Sequence, residues 1–152
     1  MQPPAECFAC AAVADPEIVP GGLIHENGEW LVDHCVGPLG IGTLIVKPKR
    51  HVTRVSELSD GEVAELGPVL RAAARVVDEL VQPEQVYVWL FSHAGAVPVH
   101  VHYVVQPATR EEMDALGEYG PHLTVAMFDR KRLPDPEQMA EFAERARAAW
   151  PR

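Results

Sequence analysis

The chain has 152 residues, a one-domain length with enough mass for a hydrophobic core. Its 47% hydrophobic and 23% charged residues are those of a soluble globular protein. Thirteen basic against twenty-two acidic residues leave a net charge of −9, which argues against polymeric nucleic acid and anionic membranes as partners. A small anionic ligand stays open, because a local site can override the global sign.

No apolar run has the length of a bilayer span. Residues 1–6 lack the basic start and apolar stretch of a signal peptide, so the expectation is a cytoplasmic protein. Thiols stay reduced there, and Cys7, Cys10 and Cys35 read as metal ligands or buried thiols rather than disulfides.

In chain order, residues 1–6 read as a loose arm, and Cys7 and Cys10 as a short turn or knuckle. Asn27-Gly28 between two apolar runs is a hairpin signal. A glycine-rich loop over 37–42 leads to a buried strand over 43–46 that stops at Pro48. Ser59 and Glu62 make a capping box. Behind it Val63, Leu66, Leu70, Val77 and Leu80 recur at helical spacing and predict a helix over 60–81. Pro68 inside it implies a kink or a late start. The aromatic and β-branched run 85–92 predicts a strand, as does 99–105, ended by Pro107. Residues 109–118 read as a short helix, 122–128 as ambiguous, and 136–150 as an amphipathic C-terminal helix. The order points to an α+β domain: a mainly antiparallel sheet of about five strands, one long helix and a C-terminal helix.

Two clusters could carry chemistry. Cys7 and Cys10 in C-x-x-C, with His51 and His100, form a Cys2His2 set, the composition of a closed structural zinc site. Taken without the histidines, the two cysteines read equally as small buried residues. A thioredoxin-type redox pair does not fit, because the βαβ unit it needs is missing. The second cluster is His100-Val101-His102. Residues i and i+2 of a strand share a face about 7 Å apart, so two imidazoles would stand side by side. A lone H-x-H also suits two ordinary histidines on a half-buried sheet.

The flanks of that motif resemble the histidine-triad superfamily, whose pattern is His-x-His-x-His-x-x-Pro with a glycine five residues ahead. Here the run is Gly95-Ala-Val-Pro-Val-His100-Val-His102-Tyr-Val104-Val-Gln-Pro107, and both the glycine and the proline fall at the family's offsets. Upstream, Gly42-Thr-Leu-Ile-Val-Lys-Pro48-Lys-Arg-His51 looks like the family segment Gly-His-x-Leu-Val-x-Pro-Lys-Arg-His. The resemblance covers about residues 5–107 and implies one histidine-triad-like domain over 1–152, with 108–152 as an extension outside the motifs. Three positions depart from the pattern: Val104 replaces the third histidine, Thr43 a further histidine, and Ala96 a glutamine. The galactose-1-phosphate uridylyltransferase branch also changes the third position. It holds zinc with a C-x-x-C pair, a distant histidine and the first histidine of its motif, a layout that Cys7, Cys10, His51 and His100 match one by one. A competing register puts His100 in the middle place and His102 third, but then Pro98 replaces the first histidine and the glycine and proline offsets fail.

By this resemblance the protein is a nucleotidyl hydrolase or transferase. Its substrate is a nucleotide conjugate or dinucleoside polyphosphate, attacked by His102 to give a covalent nucleotidyl-histidine. Zinc on Cys7, Cys10, His51 and His100 is structural. Ser92 and Thr43 are candidate phosphate donors, Asp33 lies on a strand that helps bind ribose, and His93 is a candidate acid or supporting group. His25, His34 and His122 read as structural or solvent-facing. Family members pair as homodimers through the long helix and an adjacent strand, and the Val63, Leu66, Leu70 and Val77 stripe suits that role or packing on the sheet. Two rival readings remain open: a non-catalytic nucleotide-binding or interaction module, supported by Val104 and Ala96, and an enzyme of changed reaction in specialised metabolism.

Overall fold

The computed structural model describes residues 7–152, so the arm proposed over 1–6 lies outside the described residues. After helix α1 (Phe8–Ala14) come strands β1 (His25–Glu26), β2 (Trp30–His34) and β3 (Leu44–Pro48), and helix α2 (Asp60–Val81). Then follow β4 (Gln85–Trp89), β5 (His93–Ala94), β6 (Val97–Pro98), β7 (Tyr103–Ala108), α3 (Arg110–Leu116), α4 (Pro121–Arg130) and α5 (Pro136–Ala149). Five strands form one antiparallel sheet in the order β1-β2-β3-β7-β4, and β5 pairs only with β6. The fold is α+β, as the order of elements implies.

The sheet packs against other elements on both faces. Trp30, Val32, Leu44, Val46 and Val105 pack on Val69, Ala73, Val76 and Val77 of α2 and on Phe142, Ala143 and Ala146 of α5. Each such buried Val or Leu stabilises the fold by about 1.5–3 kcal/mol. Residues 108–152, which no sequence motif covers, therefore supply part of the main core through α5. The opposite face carries Ile45, Val104 and Trp89, covered at one end by Leu123 and Met127 of α4.

Local chemistry sets these elements. Asn27 Oδ1 accepts from the Glu29 and Trp30 N–H groups at 3.1 and 2.7 Å, which closes the β1–β2 turn. Ser59 and Glu62 make the capping box, and α2 runs unbroken through Pro68 to Gln82 in the left-handed region, so the late start does not occur. The Trp30 indole N–H donates to the Glu62 carbonyl at 2.9 Å and ties α2 to β2. Gly42 has φ +91°, and a Cβ there would stand 2.7 Å from Val81 Cγ2, so the loop before β3 accepts only glycine.

Several expected elements differ. Cys7 is the N-cap of α1, and Cys10 sits inside that helix rather than in a knuckle. The strand expected over 99–105 begins only at Tyr103, because Val101 N–H donates to the Val52 carbonyl at 2.7 Å and leaves the ladder. Pro107 does not end β7. Past Val105 that strand pairs with β4 alone, where a residue without an N–H is tolerated. The ambiguous 122–128 run lies in α4, with Pro121 in its first turn. The apolar stripe divides: Val77 is fully buried, Leu66 and Leu70 pack at the core's edge, and Val63 stays 57% exposed.

Candidate active site and metal centre

Three segments converge at one end of the sheet. The α1 N-terminus brings Cys7 and Cys10, the chain after β3 brings His51, and the segment entering β7 brings His100. One ligand atom from each of the four lies within 4.8 Å of every other. The Cys10 sulfur is 3.1 Å from His51 Nδ1 and 3.3 Å from His100 Nδ1, and the Cys7 sulfur is 3.8 Å from His100 Nδ1. A tetrahedral ion bound by sulfur at about 2.3 Å and nitrogen at about 2.0 Å needs edges of about 3.5 Å, which these distances bracket.

The hydrogen bonds fix which nitrogen of His100 is free. Its Nε2 lies 2.8 Å from the Pro48 carbonyl, an acceptor only, so Nε2 carries the proton and Nδ1 keeps its lone pair for a metal. Burial of His100 lowers its pKa to about 4, so the ring is neutral and fit to ligate. Burial, with Cys7 beside it, pushes the Cys10 thiol up to about 12. To ligate a metal Cys10 would give up that proton, which a bound cation favours. The four residues can hold a metal ion, and the set leaves no open position if all four bind.

His102 stands apart from that cluster. Its Nδ1 is 2.9 Å from the His100 carbonyl, so Nδ1 carries the proton and donates it there. Among the described residues Nε2 has no hydrogen-bond partner. The His102 backbone N–H donates to Ser92 Oγ at 3.2 Å.

His102 lines a cavity of about 970 Å³. Its walls are mostly apolar, with Phe8, Ile45, Trp89, Phe91, Val104 and Phe128 among them. Trp89 is held by an indole N–H bond of 3.0 Å to Gln106 Oε1, which also accepts from the Thr124 hydroxyl at 2.9 Å. The polar groups at the wall are few: Cys7, Cys35, His51, Thr53, His93, Lys47 and the two histidines of the motif.

The remaining sequence-derived candidates fall in different places. His93 lines the cavity from β5, and its Nδ1 donates to the Gly95 carbonyl at 2.8 Å. Ser92 supports the His102 backbone and is not part of the cavity wall. Thr43 does not reach the cavity: it is fully buried, and its hydroxyl donates to the Leu39 carbonyl at 2.8 Å. Asp33 is buried and ion-paired with Lys47. Burial pushes the Asp33 carboxyl up, against the pull of the neighbouring ammonium. Val104 is 2% exposed and pairs across the sheet with Ile45 and Trp89. His34 is buried and structural: its Nδ1 donates to the Cys35 carbonyl at 2.8 Å, and its Nε2 accepts from Gly42 N–H at 2.9 Å. Cys35 is a buried free thiol, pushed up to about 11 by burial.

Sequence reasoning missed Lys47 and the aromatic walls. The signal for Lys47 was available: a lysine inside the apolar run 44–48 must either be paired or face a cavity. Phe8, Phe91 and Phe128 come from three separate segments and carried no such signal.

No protein-family model matches the sequence, and no curated protein does. Solved structures do. A Hit-like protein involved in cell-cycle regulation from Bartonella henselae superposes with TM-score 0.71 at 15% identity, covering 97% of this chain and 99% of that one. A Zn-bound histidine triad family protein from Mycobacterium smegmatis gives 0.65 at 22% identity over 94% of both chains. A hypothetical histidine triad nucleotide-binding protein from Sulfolobus tokodaii gives 0.69 at 18% identity, with 94% and 91% covered. At these identities the likeness establishes the fold, and it extends over the C-terminal residues that the motifs leave out.

Proposed function

We propose, with the histidine-triad fold as premise, that this chain is a nucleotidyl hydrolase or transferase with His102 as its nucleophile. One observation carries the reading: the His102 ring is fixed with its proton on Nδ1, and its unpartnered Nε2 belongs to a side chain in the cavity wall. A neutral imidazole is a competent nucleophile at physiological pH.

The cavity suits a ligand with one flat apolar part. Trp89, Phe91 and Phe128 offer faces for a nucleobase, which leaves the α-phosphorus near His102. Nε2 forms the N–P bond, and the P–O bond to the leaving group breaks with its electron pair going to that oxygen. Water or another acceptor then attacks phosphorus, breaks the N–P bond and restores the imidazole. Through this cycle the His100 carbonyl holds the Nδ1 proton and keeps the ring from turning.

Zinc is the metal that two thiolates and two imidazoles fit best, and Cys7, Cys10, His51 and His100 would hold it. When bound it supplies structural cross-linking and no open coordination position for chemistry. We read the layout as resembling that of the galactose-1-phosphate uridylyltransferase branch. We further read the chain as one cytoplasmic domain that pairs as a homodimer through α2 and the neighbouring strand, with Val63 and Val88 exposed there.

Intact-mass measurement with a panel of nucleotide conjugates and dinucleoside polyphosphates tests the reading. Under denaturing conditions a nucleotidyl adduct on His102 is expected. Its absence, with no turnover of any conjugate, removes the enzyme reading. The apolar Val104 at the third triad position favours one alternative, a nucleotide-binding module without turnover. That alternative expects wild type and His102→Ala to bind nucleotide alike.

A further inference from the structure

One charged side chain in the cavity wall has no part in the chemistry above. Lys47 lies in β3 and is 3% exposed. The β3–β7 register pairs Ile45 with Val104 and ends at Val46 with Tyr103, so Lys47 and His102 are the residues next to the last pair on the two chains. Ile45, Val104, Lys47 and His102 line the same cavity. On the far side β2 pairs Asp33 with Ile45, which makes Asp33 the diagonal neighbour of Lys47 and its ion-pair partner. Lys47 and His102 thus share the cavity wall, with Asp33 on the neighbouring strand as the partner of Lys47.

An ammonium has three N–H donors. Among the described residues that of Lys47 bonds only to Asp33 Oδ2, which leaves two directions. Taking a lysine and an aspartate out of water is costly, and such a pair is a weak stabiliser compared with apolar residues of the same shape. A purely structural role therefore gives little reason for placing the pair beneath a cavity. A positive donor in an apolar wall does act strongly on nearby negative charge.

Resting on the reading of His102 as nucleophile, we propose that Lys47 is the electrostatic partner of the phosphoryl group His102 attacks, with Asp33 positioning its ammonium. Val104 in the same wall carries no donor, and Lys47 on the neighbouring strand does. As Nε2 bonds to phosphorus and the leaving oxygen departs with its electron pair, Lys47 donates hydrogen bonds to the non-bridging oxygens and keeps its proton. Asp33, engaged by Lys47, acts through that lysine and not on ribose.

The test compares adenosine 5′-monophosphate with adenosine by calorimetry and follows adduct formation with p-nitrophenyl thymidine 5′-phosphate. The variant is Lys47→Met with Asp33→Asn, which removes both charges together, and Lys47→Arg retains the positive one. Wild type and K47R are expected to bind the monophosphate at least tenfold tighter than adenosine. In K47M/D33N the ratio falls to about one with adenosine affinity kept, and adduct formation slows roughly 10²-fold. A double variant that keeps both the ratio and the adduct rate within twofold overturns the role of Lys47 and leaves His102 as nucleophile intact. Wild type that forms no adduct and binds neither probe overturns both. Wild type that forms no adduct while K47M/D33N loses the phosphate preference removes the nucleophile reading alone. If the double variant does not fold, the Lys47 ammonium NMR signal of wild type decides: it shifts with the monophosphate and not with adenosine, and an unmoved signal rejects the contact.

Discussion

The carbonyl of His100 accepts the Nδ1 proton of His102 at 2.9 Å, while the His100 ring turns its own Nδ1 toward two thiols. One residue therefore belongs to both clusters: its side chain to the metal set, its backbone to the ring proposed as nucleophile. Anything that fixes the His100 ring also fixes the carbonyl that orients His102. A closed metal site can influence chemistry this way without touching substrate.

His102→Ala should remove the nucleotidyl adduct and lower turnover by roughly 10³-fold or more. Zinc content should be unchanged, because His102 is not one of the four clustered ligands. Intact mass under denaturing and native conditions reads both quantities in one sample. A variant that still forms the adduct assigns the nucleophile elsewhere.

Cys10→Ala removes the sulfur closest to both ligand histidines. If the proposed zinc is bound there, metal binding and folding share one free energy, so the variant should purify without zinc and its Tm should fall by about 10 °C or more. Adduct formation should also fall, through the looser His100 carbonyl. Elemental analysis beside a thermal melt makes the check, and unchanged melting without zinc contradicts it.

His34 governs a pH dependence of stability. Burial lowers its folded pKa to about 4, below the ordinary value of 6.5. The unfolded chain therefore binds a proton in this window that the folded chain refuses. Stability is unaffected by this group above pH 6.5, declines as pH falls from 6.5 to 4, and levels off below. The full loss is about 3 kcal/mol. Urea unfolding of wild type and His34→Gln across that range isolates the effect, since glutamine can donate and accept but does not titrate. Parallel curves for the two proteins would dismiss it.

Gly42→Ala should destabilise the fold by about 2 kcal/mol or more. Alanine is strained at φ +91°, and its Cβ would clash with Val81. The same glycine N–H donates to His34, so the variant should also alter the acid limb of the stability curve. Chemical denaturation at pH 7 and pH 5 measures both, and a neutral substitution would show that α2 yields at its C-terminus.

Much of the fold was written in local sequence. Ser59 and Glu62 announced the start of α2, the 3.6-residue spacing its length, and Asn27-Gly28 the β1–β2 turn. Short-range hydrogen bonds decide such features, so a window of a few residues holds the whole signal. The four metal-binding candidates were legible for another reason: thiols and imidazoles are chemically distinctive wherever they occur, and the structure gathers all four.

Other features needed the assembled chain. The His100 and His102 segment leaves the ladder because of Val52 and Pro48, residues about fifty positions away. Thr43 turned inward to Leu39, and Asp33 was captured by Lys47, which no single strand reveals. Lys47 and His102 come to line one cavity only through the pairing of β3 with β7. Composition, caps and periodicity follow from each residue's own chemistry and that of its near neighbours, so sequence alone determined them. Which polar groups satisfy one another, and which are left facing the cavity, depends on contacts between distant strands, and tertiary structure alone decided it.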